Sequence, residues 1–155
     1  MENKSELIKS AKDFMGNRQG NCAQAIFATY GPFLAKEKLD FEDCMKITSA
    51  FGGGINLTGN VCGAISGALM SLGLKFNGNM QDVTKYSSQF LEEFKKINGS
   101  IICRELVGHD LTDVGNLKQA DQEAIFINCK KYVVDAASLL EKYIDDQSIK
   151  EGNEA

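Results

Sequence analysis

Apolar residues recur along this chain at the three- and four-residue spacing of helices, and strand-like alternation is hard to find. From Ser5 to Met15, the residues Leu7, Ile8, Ala11, Phe14 and Met15 share one face, and the pattern stops at Gly16. Asn21 suits the N-cap of a second helix through Thr29, with Cys22, Ala25 and Ile26 apolar and Gly31-Pro32 expected to end it. Asp40 suits the cap of a third, predicted over residues 41–51, and Gly52-Gly53-Gly54 predicts a loop because three glycines cannot continue a helix cheaply. Asp82 to Ile97 is amphipathic, with Val83, Tyr86, Phe90 and Phe94 inward and Asn98-Gly99 as its stop. A short turn is expected near Cys103. The last long helix is predicted from about Gln119 to Tyr143, with a core stripe through Ile125, Cys129, Tyr132, Val133, Ala136, Leu139 and Leu140.

The segment from Cys62 to Leu74 carries small residues at Gly63, Gly67 and Ser71 and again at Ala64 and Ala68, two stripes side by side on a helix. Interior glycines cost about 1 kcal/mol each in helix propensity, so close packing of a neighbouring backbone, or a bulky bound group, is expected there. Ile47 to Leu74 holds no charged residue and is long enough to cross a bilayer. Gly52-Gly53-Gly54, Asn56, Gly59 and Asn60 interrupt it where a spanning helix must satisfy every backbone group, so it reads as a buried turn between two core helices. With no internal repeat and no low-complexity linker, the expected fold is all-α: an irregular multi-helix bundle in a single domain over residues 1–146, followed by a frayed tail over residues 147–155.

Composition narrows the function classes. A chain of 155 residues with 43% hydrophobic and 25% charged positions can bury a real core without staples. Five cysteines amount to about 3%, well below the roughly 8–10% of disulfide-stapled secreted domains. The net charge of -4, from 17 basic and 21 acidic residues, with no basic run longer than Lys95-Lys96 or Lys130-Lys131, disfavours nucleic acid as a partner. The first twelve residues carry Glu2, Lys4, Glu6, Lys9 and Lys12 and lack the apolar stretch of a signal peptide, which makes a reducing, cytoplasmic location the expectation.

Chemistry then rests on the cysteines at 22, 44, 62, 103 and 129. Their intervals of 22, 18, 41 and 26 residues exclude the close CxxC pair of a thioredoxin-like site or zinc ribbon, and there is no CxxCH for covalent haem. Cys22, Cys62, Cys103 and Cys129 fall at or near helix starts or on core faces of different helices, so folding can bring them together. The plain alternative is that they are buried filler, since free cysteine behaves as a small hydrophobe. Cys62 opens a helix after a glycine-rich loop, where unpaired N–H groups favour a thiolate. Cys103 precedes Arg104, which would lower its thiol pKa if the guanidinium turned inward; a surface arginine is the commoner case. Cys44, in the charged stretch Glu42-Asp43-Cys44-Met45-Lys46, is left out of the set. His109, the lone histidine, reads as a turn residue rather than a ligand. The Phe51–Ile55 loop lacks GK[ST] and follows a helix, so it is not a nucleotide site, and Glu92-Glu93 and Asp145-Asp146 read as solvated pairs.

The residues Cys62-Gly63-Ala64-Ile65-Ser66-Gly67, with Cys22 upstream and Cys103 and Cys129 downstream, resemble the C_GCAxxG_C_C family of putative redox-active proteins. Supporting segments are Asn21-Cys22-Ala23-Gln24-Ala25, Phe51-Gly52-Gly53-Gly54, Gly67-Ala68-Leu69 and Cys103-Arg104-Glu105-Leu106. The resemblance implies a small all-helical protein whose four patterned cysteines, here Cys22, Cys62, Cys103 and Cys129, are redox-active. The family also looks like the helical domain of split-Soret cytochromes, which leaves a homodimer with a cofactor near its interface open.

Three readings compete. In the first, the four cysteines ligate an iron-sulfur cluster for electron transfer or redox sensing, with N–H groups from the Gly59–Gly63 turn tuning it and zinc as a variant filling. In the second, the chemistry is metal-free thiol-disulfide exchange with Cys62 as the reactive thiol and Cys103 as the other catalytic candidate. The third is a structural interaction module with no chemistry at all. No redox partner is named by any of them, and membrane insertion is not expected.

Overall fold

Seven α-helices and one 3-10 helix make up the described residues, 4–145, of the computed structural model. The expected frayed tail over residues 147–155 lies outside them. In chain order the helices are α1 (Lys4–Gly16), α2 (Cys22–Leu34), α3 (Phe41–Ile47), α4 (Gly63–Lys75), α5 (Met80–Asn98), α6 (Cys103–Val107) and α7 (Gln119–Asp145), with the 3-10 turn (Leu111–Asn116) between α6 and α7. The only pairing of extended backbone among them is an isolated antiparallel bridge, Val61 with Ile102. The all-α expectation holds, and no helix in this region is long and apolar enough to cross a membrane.

The glycine stripe of α4 explains how the centre of the bundle packs. A Cβ at Gly67 would lie 2.8 Å from the Ala23 carbonyl oxygen, and one at Gly63 would lie 2.6 Å from the Cys22 sulfur, so α2 and α4 meet backbone to backbone. Ala64, Ile65, Ala68 and Leu72 are fully buried beside Ile26 and Tyr30 of α2. The long α7 lies along this pair and covers it with Val133, Ala136 and Leu140, while α5 adds Phe90 and Phe94. The amphipathic pattern of α5 is therefore realised, from the Asn79 cap to Gly99 in the left-handed conformation at φ +86°.

Two boundaries depart from expectation. The second helix does not stop at Gly31-Pro32 but continues to Leu34, since a proline in the last turn removes one hydrogen bond while the Ala35 N–H still reaches the Gly31 carbonyl at 2.8 Å. Gly31 is there for space: a Cβ would approach the buried Cys44 sulfur to 2.6 Å, so α3 could not dock. The third helix ends at Ile47 rather than at residue 51, because buried Thr48 turns its hydroxyl back onto the Cys44 carbonyl at 2.7 Å and the chain tightens.

The loop beyond it is unusual. Gly53, Gly54, Ile55, Asn56 and Leu57 have φ between +48° and +68°, five consecutive residues in the left-handed region. Each non-glycine residue there costs roughly 1–2 kcal/mol. Backbone bonds hold the turn closed, from Asn56 N–H to Ala50 at 2.8 Å and from Asn60 N–H to Gly54 at 2.9 Å, with the Thr58 hydroxyl on the Gly54 carbonyl. Glu93 also departs from its reading as a solvated residue: it accepts from Lys142 at 2.9 Å and from the Tyr143 hydroxyl at 2.8 Å and so ties α5 to α7.

Candidate functional site

Each of the four patterned cysteines is delivered by a different element. Cys22 is the first residue of α2, Cys62 is the N-cap of α4, Cys103 is the first residue of α6, and Cys129 lies in the middle of α7. All four border one small cavity of about 30 Å³, together with Gly53 and Tyr132. Leu106, Val107 and Leu111 complete an almost wholly apolar wall. Cys44 is elsewhere, fully buried with Phe27 and Ala28 between α2 and α3, and burial pushes its thiol up to about 11. It does not border the cavity of the other four.

Local sequence fixes these positions. Asn21 and Gln24 form a reciprocal capping box, and the Asn21 amide donates to the Thr48 and Ser49 carbonyls at 3.3 Å while the Gln24 amide donates to Met45 at 3.0 Å. The start of α2, and Cys22 with it, is thereby fastened to the end of α3. The bridge of Val61 with Ile102 runs through Cys62 N–H to Ile101 at 2.9 Å and Cys103 N–H to Asn60 at 2.6 Å, which sets those two cysteines on neighbouring strands of chain. Gly54 must be glycine for this approach, as a Cβ there would lie 2.7 Å from the Cys103 Cβ. The Tyr132 hydroxyl donates to the Leu106 carbonyl at 2.8 Å and joins α7 to α6 beside Cys129.

Cys22 and Cys62 are linked electrostatically. The Cys62 thiol donates toward the Cys22 sulfur, and N–H groups of Gly53, Cys22 and Ala64 converge on the same atom, so the Cys22 thiol is held down at about 7. Cys62 is pushed up in turn, first by that shared proton and then by burial. The two titrate as a pair with the negative charge favoured on Cys22. This corrects the expectation for Cys62: the N–H groups of Ala64 and Ile65 at the start of α4 do point to its sulfur, but its neighbour holds the charge. Burial raises Cys103 to about 11 and Cys129 to about 12, with the Cys22 charge as the further cause in both.

Arg104 is exposed, the commoner case, with its Cβ, Cγ and Cδ beside Gly59, and the Cys103 thiol is raised by burial rather than lowered. The N–H groups of Gly59, Asn60 and Cys62 are used on the Gly53, Gly54 and Ile101 carbonyls, so the donors to sulfur come from Gly53 and the first turn of α4 instead. His109 is half-buried after α6 and borders neither the cysteine cavity nor the cleft beside it. Among the described residues, no three or more His, Cys, Asp or Glu side chains are grouped so as to hold a single metal ion. The thiols ring a space; they do not converge on a point.

One feature was not legible beforehand. A cleft of about 560 Å³ adjoins the cysteine cavity, sharing Cys22, Gly53, Leu111 and Cys129 with it. It lies between the end of α1, the left-handed turn, the 3-10 helix and the first half of α7. The 3-10 helix that walls it is set by Asp110, which accepts from the Thr112 N–H at 3.0 Å, an Asx turn whose signal was present in the sequence.

The profile of the family described as "Putative redox-active protein (C_GCAxxG_C_C)" matches residues 20–143, a span containing all four cavity cysteines. Neither the curated proteins nor the solved structures include a match.

Proposed function

Because this chain belongs to the C_GCAxxG_C_C family of putative redox-active proteins, we propose that its redox centre is the set Cys22, Cys62, Cys103 and Cys129, acting as ligands of one iron-sulfur cluster for electron transfer or redox sensing. The observation that carries this reading is that four cysteines, up to 41 residues apart in consecutive spacing, border the same apolar cavity from four separate elements. Four thiolates are the usual ligand set of 2Fe-2S and 4Fe-4S clusters. Thiols arranged around a space suit a cluster, whose irons occupy several positions, better than one ion. A bound cluster would supply one-electron oxidation and reduction.

The chain's own residues have definable parts in this. Gly53, Ala64 and Ile65 direct N–H groups at the Cys22 and Cys62 sulfurs, the kind of hydrogen bonding that tunes a cluster potential. Leu106, Val107 and Leu111 give the cavity an apolar wall, while Cys22 and Cys129 are half-buried on the side of the neighbouring cleft. Binding a metal must displace thiol protons, so loading is expected to strengthen as pH rises.

A metal-free reading is favoured by one observation, the contact of Cys22 with Cys62. In that reading Cys22, not Cys62, is the attacking thiolate and Cys62 resolves the mixed disulfide. Anaerobic purification, a visible absorption spectrum and assay of iron, sulfide and zinc on one sample separate these. Broad visible absorption with stoichiometric iron and sulfide supports the cluster. A colourless, metal-free protein with a Cys22–Cys62 disulfide after mild oxidation supports thiol exchange and overturns the first reading.

A further inference from the structure

The cleft beside the cysteine cavity shares Cys22 and Cys129 with it but is otherwise lined by residues with no part in ligation, and its chemistry is specific enough to name an occupant. Its volume of about 560 Å³ is within the range of small-molecule sites. Its walls are mostly apolar, with Leu57, Val114, Leu117 and Phe126 among them, and Cys22 and Cys129 are part of its lining. The only cation in the lining is Arg18 and the only carboxylate is Glu123. These two neutralise one another: Arg18 donates to both Glu123 oxygens at 3.0 Å, with its guanidinium stacked 3.8 Å above the Phe126 ring.

That charge balance discriminates among redox carriers. Nicotinamide and flavin nucleotides carry phosphates, and a phosphate here would have to take Arg18, the one cation of the lining, from Glu123. A neutral, flat, largely apolar carrier meets no such penalty and can lie along Phe126, with the exposed Gln119 amide at the rim for a carbonyl oxygen.

We propose that this cleft is a binding site for a neutral quinone, placed to exchange electrons with the cysteine centre through the Cys22 and Cys129 side. The proposal rests on the redox reading for its electron source. The balance is one quinone, two electrons passed in two successive one-electron turnovers of the centre, which a one-electron donor protein re-reduces after each, and two protons from solvent, giving one hydroquinone.

The test is binding, measured by equilibrium dialysis on the protein as purified and again after metal removal. The probes are neutral 2-(hydroxymethyl)anthraquinone and anionic anthraquinone-2-sulfonate, whose fused rings leave no edge for thiol addition. Saturable one-to-one binding of the neutral probe is expected, with the sulfonate at least about tenfold weaker. Val114→Trp, which fills the cleft from the 3-10 side, and Gln119→Trp, at an exposed position on its rim, should each weaken the neutral probe about tenfold while far-ultraviolet circular dichroism stays unchanged. No saturable binding, equal binding of the two probes, or binding unaffected in both variants overturns the proposal. Failure to bind in a sample that contains iron and sulfide sinks the quinone site alone, whereas binding by protein that is free of iron and sulfide as purified anaerobically leaves the site standing and removes the cluster.

Discussion

Cys22 and Cys62 share a proton, and that sharing makes one thiol of the centre unlike the others. In the reduced, metal-free protein the Cys22 thiolate forms with a midpoint near 7, while Cys44 and Cys103 stay near 11 and Cys129 near 12. Because only the thiolate reacts, alkylation of Cys22 should rise through neutral pH and level off above it, with the other thiols slow throughout. Cys62→Ala removes the proton donor and should move the Cys22 midpoint upward; mass spectrometry of iodoacetamide-labelled peptides across a pH series reads both. Gly63 is held to glycine by Cys22 and the backbone around it. In Gly63→Ala the new methyl would meet the Cys22 sulfur at 2.6 Å and the Phe51 carbonyl at 2.8 Å. The expected result is a displaced Cys22, with metal loading reduced several-fold while far-ultraviolet circular dichroism remains helical.

At the scale of elements, the site depends on where helices begin. Asn21 satisfies the first turn of α2 and also bonds the Thr48 and Ser49 carbonyls, so Asn21→Ala should cost about 1–2 kcal/mol by urea unfolding and weaken metal retention along with it. Much of this was readable in the sequence. Asn21, Asp40 and Gly99 are short-range capping signals, and each cap formed as expected. The Gly31-Pro32 stop failed because a local breaking signal competes with tertiary packing, and Gly31 was selected by the space that Cys44 requires. The left-handed turn over residues 53–57 was legible only as a loop. Two of its residues, Ile55 and Leu57, have no preference for positive φ, and only the closed backbone bonding around them accounts for it.

Over the whole molecule, the cysteine cavity lies at a seam. Cys62 belongs to the main core built by α1, α2, α4, α5 and α7, Cys103 belongs to a smaller cluster with Val107, Leu111 and Ile125, and Cys129 packs against both. Helical periodicity foretold the faces that make each core, and the family resemblance singled out the four cysteines. Neither could show that sulfurs from α2, α4, α6 and α7 border one space, or that a cleft opens beside it, because those are products of how α6 and the 3-10 helix fold back onto α7. Arg104 is exposed, the commoner case for an arginine, which the sequence alone could weigh but not decide because exposure depends on the packing of the whole chain. The central claim is that four of the five cysteines hold one cluster. It is tested most directly by iron and sulfide content per chain in five single Cys→Ser variants purified anaerobically side by side. Serine at 22, 62, 103 or 129 should lower or abolish both together and alter the visible spectrum, and serine at 44 should leave them at the wild-type level. Iron and sulfide unchanged by substitution at any one of the four, or lost with Cys44, would contradict the account.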